Sequence, residues 1–250
     1  MIHMPMRPAY VMLVAFVLQT AAVYAGDALR RCRHAAEESE GKDLAIILPA
    51  ALTLLTLLIG FSFSMASGRY DQRKALEEEE ANAIGTEYIR ADLAPGQTAQ
   101  IQALLRDYTA QRVLYYEVKD PARLQQIDAA TAALQAQLWS AVATPANATP
   151  TPLMAALVTG MNDVINSQGY TQAMWWNRLP QNAWVLMFAV AVGCNFLFGY
   201  SQLRLNRVRL LVLPVIISLP FFLIADIDSP RRGFIHVVPQ NLLVLQASLK

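Results

Sequence analysis

The sequence predicts an all-α integral membrane protein: four transmembrane helices, with a helical extramembrane bundle inserted between the second and third spans. Three observations predict it. Of 250 residues, 55% are apolar and 16% charged, against about a quarter charged in a soluble domain. Apolar runs occupy 10–25, 44–66, 183–200 and 208–225, lengths that reach or approach a bilayer crossing at about 1.5 Å per residue. Between the second and third runs, residues 68–179 change to amphipathic helical spacing. A formal net charge of +1 makes no electrostatic case for a nucleic-acid partner. Two cysteines are too few for a structural zinc site.

The first run follows Arg7 and carries Tyr10 and Tyr24 as interfacial anchors. Its end, Val23-Tyr24-Ala25 before Gly26, has the form of a signal-peptidase site. Arg30, Arg31 and Arg33 follow at once and resist export, so a retained span is expected. Residues 26–42 read as a polar loop holding Cys32 and His34.

The second run is the centre of the design. It continues without a strong breaker into SGRYDQRKALEEEEANAIGTEYIR, so residues 43–90 are expected as one helix, half in lipid and half in water. Asp92, Pro95 and Gly96 end it. At 100° per residue, Pro49, Thr53, Thr56, Gly60, Ser64 and Ser67 fall within an arc of roughly 80°, with Phe63 at its edge. Asp71, Lys74, Glu78 and Asn82 prolong the stripe past the apolar run, while Leu54, Leu57, Leu58, Phe61 and Met65 lie on another side. Such a stripe has two uses. It can pack closely against a neighbouring helix, with hydroxyls bonded there or to its own carbonyls. It can instead line a wetted pathway between several copies, hydroxyls in the membrane and charges beyond it.

Three further helices are expected over 97–179. Ile101, Leu104, Leu105, Tyr108 and Tyr115 mark the first; Asp120-Pro121 opens the second as N-cap and first-turn proline. Residues 144–150 read as a loop, and the third helix starts near Pro152. With the polar half of the central helix these make a four-helix bundle. The run Glu77 to Glu80 reads as a solvated face, because four consecutive carboxylates point around a helix and do not converge on a cation. Trp175, Trp176 and Trp184 bracket Pro180 as an aromatic belt. A basic loop with Arg204 and Arg207 joins the last two spans, and Pro214 and Pro220 are expected to kink the fourth. The C-terminal tail, 226–250, opens with Asp226, Asp228, Arg231 and Arg232. This cluster is either a salt-bridge knot that ends the span or an ion-interacting vestibule beside Arg69, Asp71, Arg73 and Lys74.

Positive charges near the span ends tie, but short loops obey the positive-inside bias best. The short loops are therefore expected in the cytoplasm, with the bundle and both termini outside it. No Gly-rich phosphate loop, paired histidines or nucleophile elbow occurs, so no enzyme, cofactor or metal is expected.

Phe61-Ser62-Phe63-Ser64-Met65-Ala66, then Arg69-Tyr70-Asp71-Gln72-Arg73, Glu80-Ala81-Asn82-Ala83-Ile84-Gly85-Thr86 and Leu93-Ala94-Pro95, together with Asp226-Ile227-Asp228-Ser229-Pro230-Arg231-Arg232-Gly233, resemble the bacterial bestrophin-like membrane family, a domain of unknown function. The resemblance covers nearly the whole chain and implies a bacterial inner-membrane protein. Tyr70-Asp71-Gln72-Arg73 is also similar to the Tyr-Asp-x-Arg step of true bestrophins, which are four-span pentameric ion channels lined by their second helix. That kinship implies a homo-oligomer, a pentamer on the same pattern, with ions and membrane lipid as partners. The chain departs from true bestrophins in a small, polar stripe where they carry a bulky apolar neck. It keeps only Asp226 and Asp228 of their acidic calcium clasp. True bestrophins also hold their helical part in the cytosol, opposite to the orientation read from charge.

Two functions follow. One is an oligomeric channel or pore lined by Thr53, Thr56, Gly60, Phe63, Ser64 and Ser67, with Asp71, Lys74, Glu78, Asn82, Asp226, Asp228, Arg231 and Arg232 at its vestibule. The other is a non-conducting membrane scaffold or sensor whose helical bundle binds a partner.

Overall fold

The computed structural model describes residues 7–32, 38–94, 96–201 and 207–249, and among them the fold is all-helical with no strand. The helices are α1 (Pro8–Cys32), α2 (Glu38–Arg90), α3 (Thr98–Glu117), α4 (Pro121–Ala148), α5 (Pro152–Trp176), α6 (Gln181–Ser201), α7 (Arg207–Leu210), α8 (Val212–Ile227) and α9 (Gln240–Ser248), with a 3₁₀ turn at Ala91–Leu93. Among the described residues, three stretches are long and apolar enough to cross a membrane: Pro8–Cys32, Leu44–Leu93 and Pro152–Ser201, the last of which contains α6. Val212–Ile227 is a shorter apolar helix. The chain divides into two compact units, one of Met1–Arg69 with Arg178–His236, the other of Tyr70–Asn177 with Val237–Lys250.

In the first unit α1 packs on α6 and α8. Asn195 Nδ2 donates to Gln19 Oε1 (3.1 Å) and to Ala191 O (2.8 Å). Gly199 lies on Val23, and Gly26 on Phe196 and Tyr200, so α1 and α6 run parallel. A Cβ on Gly26 would stand 2.2 Å from Phe196 O, and one on Gly199 2.0 Å from Val23 O. Lipid gives helices no hydrophobic reason to associate, so backbone proximity and an interhelical hydrogen bond take over that role. Phe221 of α8 adds an edge-on contact to Phe188, ring centroids 4.9 Å apart.

The expected loop over 26–42 is shorter than the composition suggests. Residues 26–32 are helical, and Cys32 is the last residue of α1 rather than part of a loop. Asp27 pairs with Arg30 (3.0 Å) and Arg31 (2.6 Å) at spacings that favour helix, and both arginines suit the negative end of the helix dipole. Residues 38–42 are helical too, as the start of α2, so the central helix begins ahead of its expected start at 43. Residues 33–37, with Arg33 and His34, and Arg204 in the other short loop lie outside the described residues.

The second unit has its own apolar core: Ile84 of α2, Ile101, Leu105 and Tyr108 of α3, Leu138 and Val142 of α4, Leu157, Met161 and Val164 of α5, and Leu242 of α9. Asp120 caps α4 by accepting from Arg123 N (2.9 Å), with Pro121 in the first turn. Thr151 caps α5 through Met154 N (3.2 Å). The loop expected at 144–150 is instead mostly helix: α4 runs to Ala148 with Pro145 inside it. Ala141 and Val142 are buried and Ala146 packs on the same core. The apolar seam thus continues past the proline, and Thr149 N closes the last turn on Pro145 O (3.0 Å).

An ion pair sits at the centre of this unit. Arg112 of α3 and Glu80 of α2 are both fully buried, joined through Arg112 Nε and Oε1 and through Nη2 to Oε2 (3.3 Å). Thr171 Oγ1 donates to the same Oε2 (3.2 Å), and the guanidinium lies 4.5 Å from the Tyr115 ring centroid. Burial opposes the charge on Arg112, but the Glu80 charge and its hydrogen bonds outweigh that and hold it protonated. Burial lifts the Tyr108 and Tyr116 phenols well above the usual range. Removing one partner strands a buried charge. Arg112→Ala should therefore cost about 3–5 kcal/mol in unfolding of the detergent-solubilised protein, and Glu80→Leu with Arg112→Met should recover much of it. Equal losses in the single and double variants would show that the pair matters only through packing.

Candidate functional site

Helix α2 presents three faces within the first unit. Leu55, Ser62 and Ala66 are buried, at 2, 7 and 0% exposure, and mark the face that packs inside the unit. Leu54, Leu57, Phe61 and Met65 are exposed apolar side chains on a second face. Thr53, Thr56, Gly60, Phe63 and Ser64 are exposed and Ser67 half-buried on the third. At 100° per residue the third face lies roughly 140° round from the first. The small-residue stripe therefore does no packing within one chain. Thr53 Oγ1 donates to Pro49 O and Thr56 Oγ1 to Leu52 O, each at 2.9 Å, so both hydroxyls are held along the helix surface. A Cβ at Gly60 would meet nothing within 4 Å.

In the second unit the charges of α2 are sorted by phase. Asp71, Lys74, Glu78 and Asn82 are exposed. Arg73, Glu77, Glu80 and Glu87 are buried at 0–1% exposure. The Glu77 to Glu80 run is thus only half a solvated face: Glu78 and Glu79 are exposed, while Glu77 and Glu80 turn inward. Glu80 holds Arg112. Glu77 accepts from Asn241 Nδ2 (2.7 Å) and from Leu242 N (2.9 Å). That second bond serves α9, whose first-turn N–H groups need acceptors and whose N-cap residue, Pro239, provides no side-chain cap.

Asp226 and Asp228 are also buried, in the first unit. Asp226 Oδ1 accepts from Phe234 N (2.7 Å) and Oδ2 from Ile235 N (2.8 Å), which fastens the chain as it leaves α8. Asp228 takes Leu179 N (3.0 Å to Oδ1) and pairs with Arg69 Nη1 at 3.7 Å. Gly233 completes the turn: its N bonds Ser229 O (2.9 Å), and a Cβ there would stand 2.2 Å from Asp226 O. Arg231 is half-buried and Arg232 exposed, and both have interaction partners. Among the described residues, no three His, Cys, Asp or Glu side chains are placed to hold a metal.

Two buried polar groupings escaped the sequence reading. Gln19 and Asn195 were signalled by being amides inside apolar runs. Arg112 was signalled by its phase, since it fills the step between Tyr108 and Tyr115 on the apolar face of α3. Asp226→Ala should leave two backbone N–H groups without acceptors and cost about 1–3 kcal/mol for each that stays dry. Thermal unfolding in detergent measures this, and an unchanged midpoint would mean that water replaces the carboxylate.

A model of the Bestrophin-like domain matches residues 11–242. Among solved structures, a single-site variant of a bacterial bestrophin homologue from Klebsiella pneumoniae superposes with a TM-score of 0.65 at 11% identity, covering 97% of each chain. Another structure of a K. pneumoniae homologue gives 0.63 at 12% identity, covering 96% of this chain and 98% of that one. No curated protein matches. At such identities the superpositions show a shared fold, while the domain match spans almost the whole sequence and carries the hallmark turns described above. The chain belongs to the bestrophin-like family of membrane proteins.

Proposed function

We propose that the chain is one subunit of an oligomeric ion channel in which the small, hydroxylated face of α2 looks onto a central axis. The observation that carries this reading is the third face of α2. Thr53, Thr56, Gly60 and Ser64 are exposed while a different face packs inside the subunit. In lipid an exposed hydroxyl stripe gains nothing, whereas facing copies of itself it lines a polar path. The family includes ion channels, which supports the same reading.

In this arrangement α1, residues 44–66 of α2, α6 and α8 are the four spans, and α8 covers about 24 Å at helical rise. Asp71, Lys74, Glu78 and Asn82 form a vestibule of mixed charge, with Arg231 and Arg232 as further ion-facing candidates. Asp226 and Asp228 shape the turn that carries Arg231 and Arg232, since their oxygens are bonded to backbone donors. The parallel course of α1 and α6 supports a topology in which the chain leaves both helices on the same side of the membrane. The arginines that follow in sequence favour the cytoplasm of a bacterial inner membrane for that side. Five copies would follow the bestrophin pattern, set in membrane lipid.

A second reading, a non-conducting scaffold or sensor, draws on an open groove of about 570 Å³ on the second unit. Ala146, Met154, Ala155 and Val158 line it and would receive a partner.

Subunit count in detergent separates the two, because a pore of this design needs several copies and a monomer excludes it. Thr56→Leu and Gly60→Leu should lower ion flux from proteoliposomes several-fold without changing the thermal midpoint, since neither position packs within the chain. Unchanged flux in an intact oligomer would remove the stripe from the conduction path. Reporter fusions after Lys119 and within residues 26–42 should fall on opposite sides of the membrane, and a shared side would overturn the assigned topology.

A further inference from the structure

We propose that Glu87 is a proton-binding site that sets how tightly α2 and α5 close on each other within the second unit. Its side chain is fully buried, and neither carboxylate oxygen has a hydrogen-bond partner. The other buried glutamates of α2 differ: Glu77 and Glu80 have both oxygens bonded. Glu87 rests against bare backbone. A Cβ on Gly160 of α5 would stand 1.9 Å from Glu87 Oε2 and 2.4 Å from Arg90 Nη1. The missing side chain at Gly160 is what makes room for the carboxyl.

The charged groups that act on it are few. Arg90, on its own helix, brings Nη1 to 3.8 Å, too far for a hydrogen bond, and its side chain is 38% exposed, so water screens its help. Asp163, from α5, is a like charge. Asp92 of the 3₁₀ turn, which also touches α5, is engaged by Gln102 Nε2 at 3.3 Å. A dry carboxylate without donors is costly, whereas the protonated acid needs far less solvation. Burial, the largest influence, raises the Glu87 pKa from its ordinary 4.5 to about 7; Arg90 works against the rise and Asp163 adds to it. The closed bundle thus binds this proton more tightly than an opened one does. The stabilisation is complete below the ordinary value of 4.5, falls as pH rises, and is gone above about 7. The site is independent of the α2 stripe and of whether the protein conducts.

The test uses the full chain in detergent. Amide hydrogen exchange across residues 157–164, corrected for the intrinsic rate, should show the opening equilibrium rising up to about tenfold per pH unit between roughly pH 5 and 7, then levelling. Glu87→Gln, neutral at every pH, should flatten that profile. Parallel profiles for the two proteins would overturn the proposal. Infrared difference spectra with labelled glutamate need no variant. A protonated carboxyl band that persists at pH 6 and disappears by pH 8 is expected, and its absence at pH 6 would overturn the proposal as well.

Discussion

Backbone N–H groups at the joints between helices decide where this chain sends its carboxylates. An N–H withdrawn from water needs an acceptor, and here the acceptor is repeatedly an acid from another segment. Asp226 takes the N–H groups of Phe234 and Ile235, Asp228 that of Leu179, and Glu77 that of Leu242. Each of these acids lies in a stretch that composition alone marks as charged and water-facing. Each instead closes a joint that has no acceptor of its own.

The same logic explains how one helix serves two environments. In the first unit α2 gives one narrow face to the interior of that unit and leaves the others uncovered. In the second, residues 73, 77, 80, 84 and 87 recur at three and four and turn inward, while 71, 74, 78 and 82 stay in water. Ions of both signs fall in both sets, so position around the helix decides burial more than charge does. Glu77 and Glu80 are tolerated inside because each meets a buried donor: Leu242 N for Glu77, and Arg112 and Thr171 for Glu80. Glu87 lacks such a donor and is relieved by a proton instead.

The long apolar helices, the uninterrupted course of α2 and the starts of α4 and α5 were legible from run length, the absence of breakers, the Asp120-Pro121 signal and Pro152. The hallmark turn from Asp226 to Gly233 was legible as a family feature, but its purpose was not, because a backbone acceptor and an ion ligand look identical in sequence. The burial of Glu77 and Glu80 was hidden for a related reason: a run of four glutamates shows no preferred side until its partners are known. Arg112 held that information for Glu80, being a charge on an apolar phase. Nothing comparable announces Asn241 and Leu242 as the partners of Glu77, which lie 164 and 165 residues further on. Helix α1 overran its expected end because Asp27 with Arg30 and Arg31 reads equally well as a loop charge cluster or as a helical pair.

That long separation imposes an order on biogenesis. The carboxylate of Glu77 emerges from the ribosome early, yet the donors that complete it belong to α9, made only after residues 178–236 have been synthesised. Until then the groove that α9 fills stands open, with an unmet charge at its floor. Closure of the second unit therefore waits on α9, and a chain stopped short of residue 240 would carry a standing mark of incompleteness.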